Sequence, residues 1–313
     1  MKVTVLGGGT GLSCLLRGLK KLPFDITAVV SVCDDGASTG RLREEFNTLA
    51  VGDIRKVLIS LSSNEEAAKT LLDFRFQTSS DLDGHALGNL MLMGALEAKG
   101  NMSDAIELIN SFLNLKGNVL PLTEDNVTLV GKMKDGKTIY GEHNITEYEK
   151  GIRYVYYQKS PTLNPLVLKA INEADVIILS MGSLFTSIIP NLLPKEIKKE
   201  LASSKAKIMY VCNLMTQPGE TDNFKVSDHV KLLNRYLGKR NVDAVIVNNG
   251  KISEDIIHKY ATSEQKDLVQ FDYDNLTDVD VIQNDYVSIE SGSIRHNSLR
   301  VSLDILSYML DRR

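Results

Sequence analysis

Lys2-Val3-Thr4-Val5-Leu6-Gly7-Gly8-Gly9-Thr10-Gly11 decides the fold. A β-branched apolar run breaks into glycines, and an amphipathic run from Leu12 to Leu22 follows. That order reads as strand, tight turn and helix, with the strand over about 2–6 and the helix over about 11–21. Such a turn leaves backbone N–H groups uncovered at the positive end of a helix, a setting that favours phosphate. Gly8, Gly9, Thr10 and Gly11 are therefore candidate ligand-binding residues. The two commonest glycine loops are excluded. Counting from Gly7, the third glycine of G-x-G-x-x-G falls on Leu12, and no Gly-Lys-Ser/Thr follows.

Working outward, Ile26 to Val32 reads as a second strand and completes a βαβ unit of a parallel sheet. It runs into Cys33-Asp34-Asp35-Gly36-Ala37-Ser38-Thr39-Gly40-Arg41-Leu42-Arg43, read as a loop. In doubly wound sheets ligands bind beyond the carboxyl ends of the strands, so both glycine-rich loops open on one side. An acid here suits a ribose hydroxyl, or Mg²⁺ through a carboxylate and waters; a solvated Asp-Gly turn is the plain alternative. Ser38, Thr39 and Arg43 join the candidate ligand-binding set.

Residues 52–115 read as a helical block, expected to cap the sheet or add a layer at one edge. Its helices begin near Gly52, Glu65, Leu87 and Ser103, with Ser103 as an N-cap. His85 and Asn89 stand one helical turn apart and share a face, which makes them candidates for phosphate contact or acid chemistry. No second histidine stands at metal-ligand spacing, so zinc is excluded. His143, His229 and His258 read as surface residues. Residues 119–158 read as an antiparallel insertion. Alternating runs flank Asp135-Gly136, a strong hairpin signal, and Ile152 to Tyr157 adds a strand.

The α/β alternation then resumes. Helices are expected over 164–173, 194–203, 227–237 (with Ser227 as cap), 253–260 and 299–312. Strands are expected over 174–180, 207–212 and 242–248, with shorter apolar pieces near 279–282 and 286–289. Gly182-Ser183 lacks the Gly-x-Ser-x-Gly of a nucleophile elbow. Asn213, Thr216 and Gln217 follow a strand and offer the amide and hydroxyl groups that read sugar or base edges. Tyr260 is a candidate for stacking on a base, and Arg295 for clamping phosphate. The whole reads as one α/β domain over 1–313, Rossmann-like and three-layered, with a mostly parallel sheet.

Composition bounds the function classes. The chain has 313 residues and a formal net charge of -4, which argues against a nucleic-acid binder. Cys14, Cys33 and Cys212 are widely spaced and fit a reduced, cytoplasmic protein without a disulfide framework. No signal-peptide pattern opens the chain, and no apolar run is long enough for a bilayer.

Taken together, six motifs resemble one family. They are Gly-Gly-Gly-Thr-Gly (7–11), Val-Cys-Asp-Asp-Gly-Ala-Ser-Thr-Gly-Arg-Leu-Arg (32–43), Gly-Asp-Ile-Arg (52–55), Gly-His-Ala-Leu-Gly-Asn-Leu (84–90), Asn-Leu-Met-Thr-Gln-Pro-Gly-Glu-Thr (213–221) and Arg-His (295–296). The chain resembles the YvcK, or gluconeogenesis-factor, branch of the YvcK/CofD-like family over nearly its whole length. The resemblance implies a Rossmann-like fold and a cytoplasmic regulatory protein that binds a UDP-sugar such as UDP-N-acetylglucosamine. It implies a role in cell-envelope precursor supply and cell shape on gluconeogenic carbon sources. A regulated protein of amino-sugar metabolism is the expected partner, a homo-oligomer the expected state, and no cofactor is required.

The CofD branch supplies the alternative, transfer of a phospholactyl group from a nucleotide-activated donor with Mg²⁺. Carried over, Gly8 to Gly11 would meet the nucleotide's phosphates, and Tyr260 and Arg295 match positions associated with UDP-sugar binding. Asp34 and Asp35 match the acid pair of the transferase branch, catalytic only if this chain is a transferase, with Asp35 the candidate Mg²⁺ ligand.

Overall fold

The computed structural model describes residues 1–148, 150–290 and 293–311. The opening unit is β1 (Lys2–Gly7), α1 (Gly9–Leu19) and β2 (Asp25–Val30). The helical block follows as α2 (Ala37–Phe46), α3 (Gly52–Leu61), α4 (Glu65–Leu72), α5 (Leu87–Lys99) and α6 (Met102–Leu113). The chain returns to the sheet as β3 (Asn118–Pro121) and then leaves it for the insertion β4 (Leu129–Met133), β5 (Thr138–Tyr140), α7 (Glu142–Glu147) and β6 (Ile152–Tyr157). The second half runs α8 (Pro165–Glu173), β7 (Val176–Leu179), a π-turn (Leu184–Ile188) leading into α9 (Ile189–Leu192), α10 (Lys195–Ser203), β8 (Lys207–Val211), α11 (Val226–Leu237), β9 (Ala244–Asn248) and α12 (Glu254–Ser263). It closes with β10 (Asp280–Asn284), the hairpin β11 (Val287–Glu290) and β12 (Ser293–His296), and α13 (Ser298–Leu310).

Seven strands form the main sheet in the order β10-β9-β8-β7-β1-β2-β3, and every neighbouring pair is parallel. The register sets Val3 beside Ile26 and Val176, and Val5 beside Ala28 and Ile178. Helices cover both faces, which is why the central strands read as unbroken apolar runs. α1 packs between α3 and α13 on one face, while α8, α10 and α11 lie on the other. Successive strands run outward from β1 to β3, and the chain then re-enters at β7, on the other side of β1. The pair β1–β7 is therefore the switch point, where the loops leaving adjacent strands diverge and open a crevice.

Several local expectations are corrected. Ala37–Phe46 is a helix, not a loop; Ser38, Thr39 and Gly40 are weak helix formers, and packing overrides them. β3 joins the main sheet rather than the insertion. It is short and ends in Pro121 at the sheet edge, where a missing N–H is tolerated. Arg295 and His296 belong to the short strand β12, just before the last helix. Asn101, not Ser103, caps α6, its side chain accepting from Asp104 N at 2.8 Å. Ser227 lies inside α11 and binds the Asp272 carboxylate through both its N–H and its hydroxyl. His229 is a core residue, not a surface one; it is fully buried, and its Nδ1 meets the Tyr210 hydroxyl at 2.8 Å.

α1 and α13 meet backbone to backbone at Gly18. A β-carbon there would sit 2.0 Å from the Ser298 carbonyl oxygen. Overpacking at a contact made of backbone has no side chain to relax. Gly18→Ala is expected to destabilise the fold by about 3 kcal/mol in urea unfolding, at the upper end of overpacking costs.

Candidate functional site

At the switch point the two turns touch. A β-carbon on Gly11 would lie 2.5 Å from the Met181 carbonyl oxygen and 2.6 Å from Gly182 N, so only glycine lets α1 begin this close to the end of β7. Above them opens a cleft of about 690 Å³. Gly8 to Gly11 and Gly182–Ser183 form its floor. Ser31, Asp34, Asp53, Lys56, Glu142 and Thr146 line the end beside β2. Leu214, Met215, Pro218, Tyr260, Ile294 and Arg295 line the end beyond β8.

Gly9 takes φ +61°, in the left-handed region, and its N–H donates to Asp53 Oδ2 at 2.7 Å. One amide of the turn is therefore already matched to an anion, a carboxylate of the protein itself. Lys56 holds the other oxygen of Asp53 at 2.9 Å. Burial pushes the Asp53 carboxyl up, against the pull of Lys56.

Of the residues singled out by sequence, Gly8, Gly9, Thr10, Gly11, Asp34, Asn213, Thr216, Gln217, Tyr260 and Arg295 come together in the cleft. Asn213 is held by its amide to the Gly182 carbonyl at 3.0 Å, and Thr216 Oγ1 accepts from Asp267 N at 2.9 Å. The Tyr260 hydroxyl accepts from Ile294 N at 2.8 Å, which braces α12 against β12. Arg295 is exposed and bonds through Nη1 to the Ile294 carbonyl at 3.0 Å.

The remaining candidates lie outside the cleft lining. Arg43 is buried and ties the end of β2 to the insertion, donating to the Cys33, Asp34 and Val127 carbonyls and to Asn126 Oδ1. Ser38, His85 and Asn89 meet one another. Ser38 Oγ lies 3.0 Å from His85 Nδ1 and accepts from Asn89 Nδ2 at 3.1 Å, and Arg55 donates to Asn89 Oδ1 at 2.9 Å. Thr39 packs against Gly52, where a β-carbon would meet its Oγ1 at 2.4 Å. Asp35 turns away from its neighbour. Its two oxygens accept the N–H groups of Glu142 at 3.1 Å and His143 at 2.8 Å. Among the described residues, no group of three or more His, Cys, Asp or Glu is arranged to hold a metal ion. Both oxygens of Asp35 are engaged by backbone amides, and Asp35 does not line the cleft.

Asp53, Lys56, Glu142 and Glu220 were not singled out. Asp53 and Glu220 stand inside motifs whose signal is the whole string, whereas nothing local marks Glu142, two residues past β5. Glu220 is buried and accepts from Ser183 Oγ at 2.6 Å, Gln217 Nε2 at 2.9 Å and Phe185 N at 3.3 Å. Burial nevertheless pushes it up to about 7. Glu142 is also pushed up to about 7, by burial first and then by Asp34, with Asp53 and Glu220 adding repulsion. His296 is held down to about 4 by burial; its Nε2 lies 3.0 Å from the Cys212 carbonyl oxygen and joins β12 to the end of β8.

Fold and cleft define a doubly wound α/β protein with a polar crevice at its switch point. The family model for 2-phospho-L-lactate transferase CofD matches residues 3–287. A Thermotoga maritima relative is 44% identical over 308 residues, covering 96% of this chain and 97% of its own. The gluconeogenesis factor of Bacillus subtilis is 42% identical over 305 residues, covering 96% of each chain. A crystal structure of a UPF0052 family member from Bacillus halodurans superposes with a TM-score of 0.93 at 40% identity, covering 97% of this chain and 99% of that one. The chain belongs to the CofD/YvcK (UPF0052) family.

The buried acids make stability depend on pH with a definite sign. A carboxyl held near 7 when folded and near 4.5 when unfolded keeps its proton longer in the native state. Its stabilising share is full below about pH 4.5 and is lost as pH rises through 7. Glu142→Gln stays neutral at every pH and so removes that loss. The variant is expected to be more stable than wild type by about 2 kcal/mol at high pH, with the difference gone near the unfolded carboxyl pKa. Urea unfolding at both ends of the window checks it. His229 and His296, both held to about 4, act in the opposite sense, and their share is lost as pH falls from 6.5 to 4.

Proposed function

We propose that this chain is a nucleotide-sugar-binding regulatory protein of the gluconeogenesis-factor branch, acting in the cytoplasm. Its ligand is a UDP-sugar of the UDP-N-acetylglucosamine type, and its role is to support cell-envelope precursor supply and cell shape on gluconeogenic carbon sources. The observation that carries the reading is the placement of Arg295. An exposed guanidinium lines the same crevice as the glycine turn, and among the described residues it spends one of its five donors, on its neighbour's carbonyl. Guanidinium and helix N-terminus are the two protein groups best suited to a diphosphate. Naming of the relatives as gluconeogenesis factors supports the regulatory side. The buried free thiols of Cys14, Cys33 and Cys212 suit a reducing compartment.

A second reading, transfer of a phosphorus-containing group, is favoured by one observation. Asp34 and Asp53 line the crevice beside the glycine turn, where an acceptor hydroxyl could be oriented. It predicts release of a nucleoside monophosphate from a nucleoside-diphosphate-activated donor as the terminal phosphorus group passes to the acceptor hydroxyl, abolished in Asp34→Asn. Mass spectrometry that finds no product across a panel of donors and acceptors removes it.

The regulatory reading is tested by calorimetry. Wild type is expected to bind UDP-N-acetylglucosamine, and Arg295→Ala to bind it at least tenfold more weakly, the scale of one lost charge-assisted contact. A wild-type chain that shows no heat of binding at millimolar ligand ends this reading.

A further inference from the structure

The two ends of the crevice differ in chemistry, and the difference orients a ligand. Beyond β8 the wall has an apolar face, with Thr216, Gln217, Glu264, Lys266 and Arg295 lining the crevice around it. Leu214, Tyr260 and Ile294 form a buried cluster with Met215, Ile252 and Ile256 packed on it. Beside β2 no aromatic or large apolar side chain lines the crevice; Ser31, Asp34, Asp53, Lys56, Glu142 and Thr146 do. A nucleobase needs a flat apolar wall with polar groups at its edge, which the first end provides. A group rich in hydroxyls needs acceptors, which the carboxyl oxygens of the second end provide.

The carboxylates alone would not make this end a site. Ser31 points the same way. It is 2% exposed, it lines the crevice, and although its hydroxyl lies beside the Cys33 thiol it makes no hydrogen bond among the described residues. A buried hydroxyl without a partner is costly and marks a place where a polar group is missing.

Glu142 is the carboxylate brought to this end from elsewhere in the chain. It opens α7, in the antiparallel insertion, and Asp35 fastens it there. The fastening is close, since a β-carbon on Gly141 would lie 2.5 Å from Asp35 Oδ2. Thr146 donates to Glu142 Oε1 at 3.3 Å from one turn further along. The groups facing Glu142 are Asp34 after β2, Asp53 on α3, Thr186 in the π-turn and Glu220 before α11. Lys56, on α3, is the one cation among the residues that line this end. The carboxyls of Asp34, Asp53 and Glu142 repel one another when charged, so their placement together costs stability.

We propose that Glu142 reads the sugar of a bound nucleotide sugar by accepting its hydroxyls, and that Asp35 is the positioning residue that aims Glu142 into the crevice. The assignment rests on the nucleotide-sugar reading above and goes further, because it says which end the sugar occupies. It also gives the adjacent acids Asp34 and Asp35 separate tasks, one facing the crevice and one holding α7.

The test compares two probes, UDP-N-acetylglucosamine and UDP, by calorimetry on the full chain. Wild type is expected to prefer the sugar nucleotide. In Glu142→Ala the ratio of the two affinities is expected to fall at least tenfold. Glu142→Gln keeps the shape and one acceptor and is expected to show a smaller fall, as is Asp35→Asn. An unchanged ratio in Glu142→Ala overturns the assignment. Equal weakening of both probes also overturns it, because a merely structural role moves both alike. Wild type that binds both probes equally overturns this inference and leaves the parent reading standing. Wild type that binds neither ends both.

Discussion

The structure depends on the contact between two strand ends. β1 and β7 are neighbours in the sheet, and the backbone leaving each must pass the other within van der Waals distance. Gly11 makes that passage possible, because any side chain there would strike the backbone of Met181 and Gly182. From this contact the helices depart to opposite faces, and the crevice is the space they leave. The glycines serve close approach first. Whatever anion affinity the turn has follows from the N–H groups that this approach leaves without side-chain cover.

The crevice is also a place of electrostatic tension. Asp53 occupies the Gly9 amide, Glu220 supports Ser183 and Phe185 from below, and Glu142 reaches in from the insertion. Lys56 compensates one of these acids directly. Two arginines outside the crevice are matched instead. Arg55 is matched to Asn89 and Asp73, and Arg240 to Asp243 and three backbone carbonyls. The contrast separates polar groups that build the fold from polar groups held ready for something outside it.

Much of the fold was legible from the sequence because its signals are local. A β-branched run, a glycine break and a 3.6-residue period each depend on near neighbours, and together they delivered the βαβ start, the insertion and the later α/β alternation. α2 and β3 escaped because their sequences carry little propensity and tertiary packing decides their state. His229 was misread for a related reason. On α11 it follows Ser227 and Asp228 in the chain, but it faces Tyr210 across the core.

The site divides along the same line. By itself the sequence determined that a glycine turn ends the first strand, that acids follow the second, and that an arginine and a tyrosine wait near the end of the chain. It also carried the family. Only the tertiary structure decided which of these residues share a crevice. Ser38, His85 and Asn89 satisfy one another on the helical block, and Arg43 satisfies backbone carbonyls. Asp34 and Asp35 are adjacent in the chain, yet Asp34 faces the crevice while Asp35 meets amides 107 and 108 residues downstream. Strand and helix follow from short-range sterics that the chain carries wherever it is. The aim of a carboxylate follows from which donors the fold brings within about 3 Å, and those come from segments that meet only when the sheet closes.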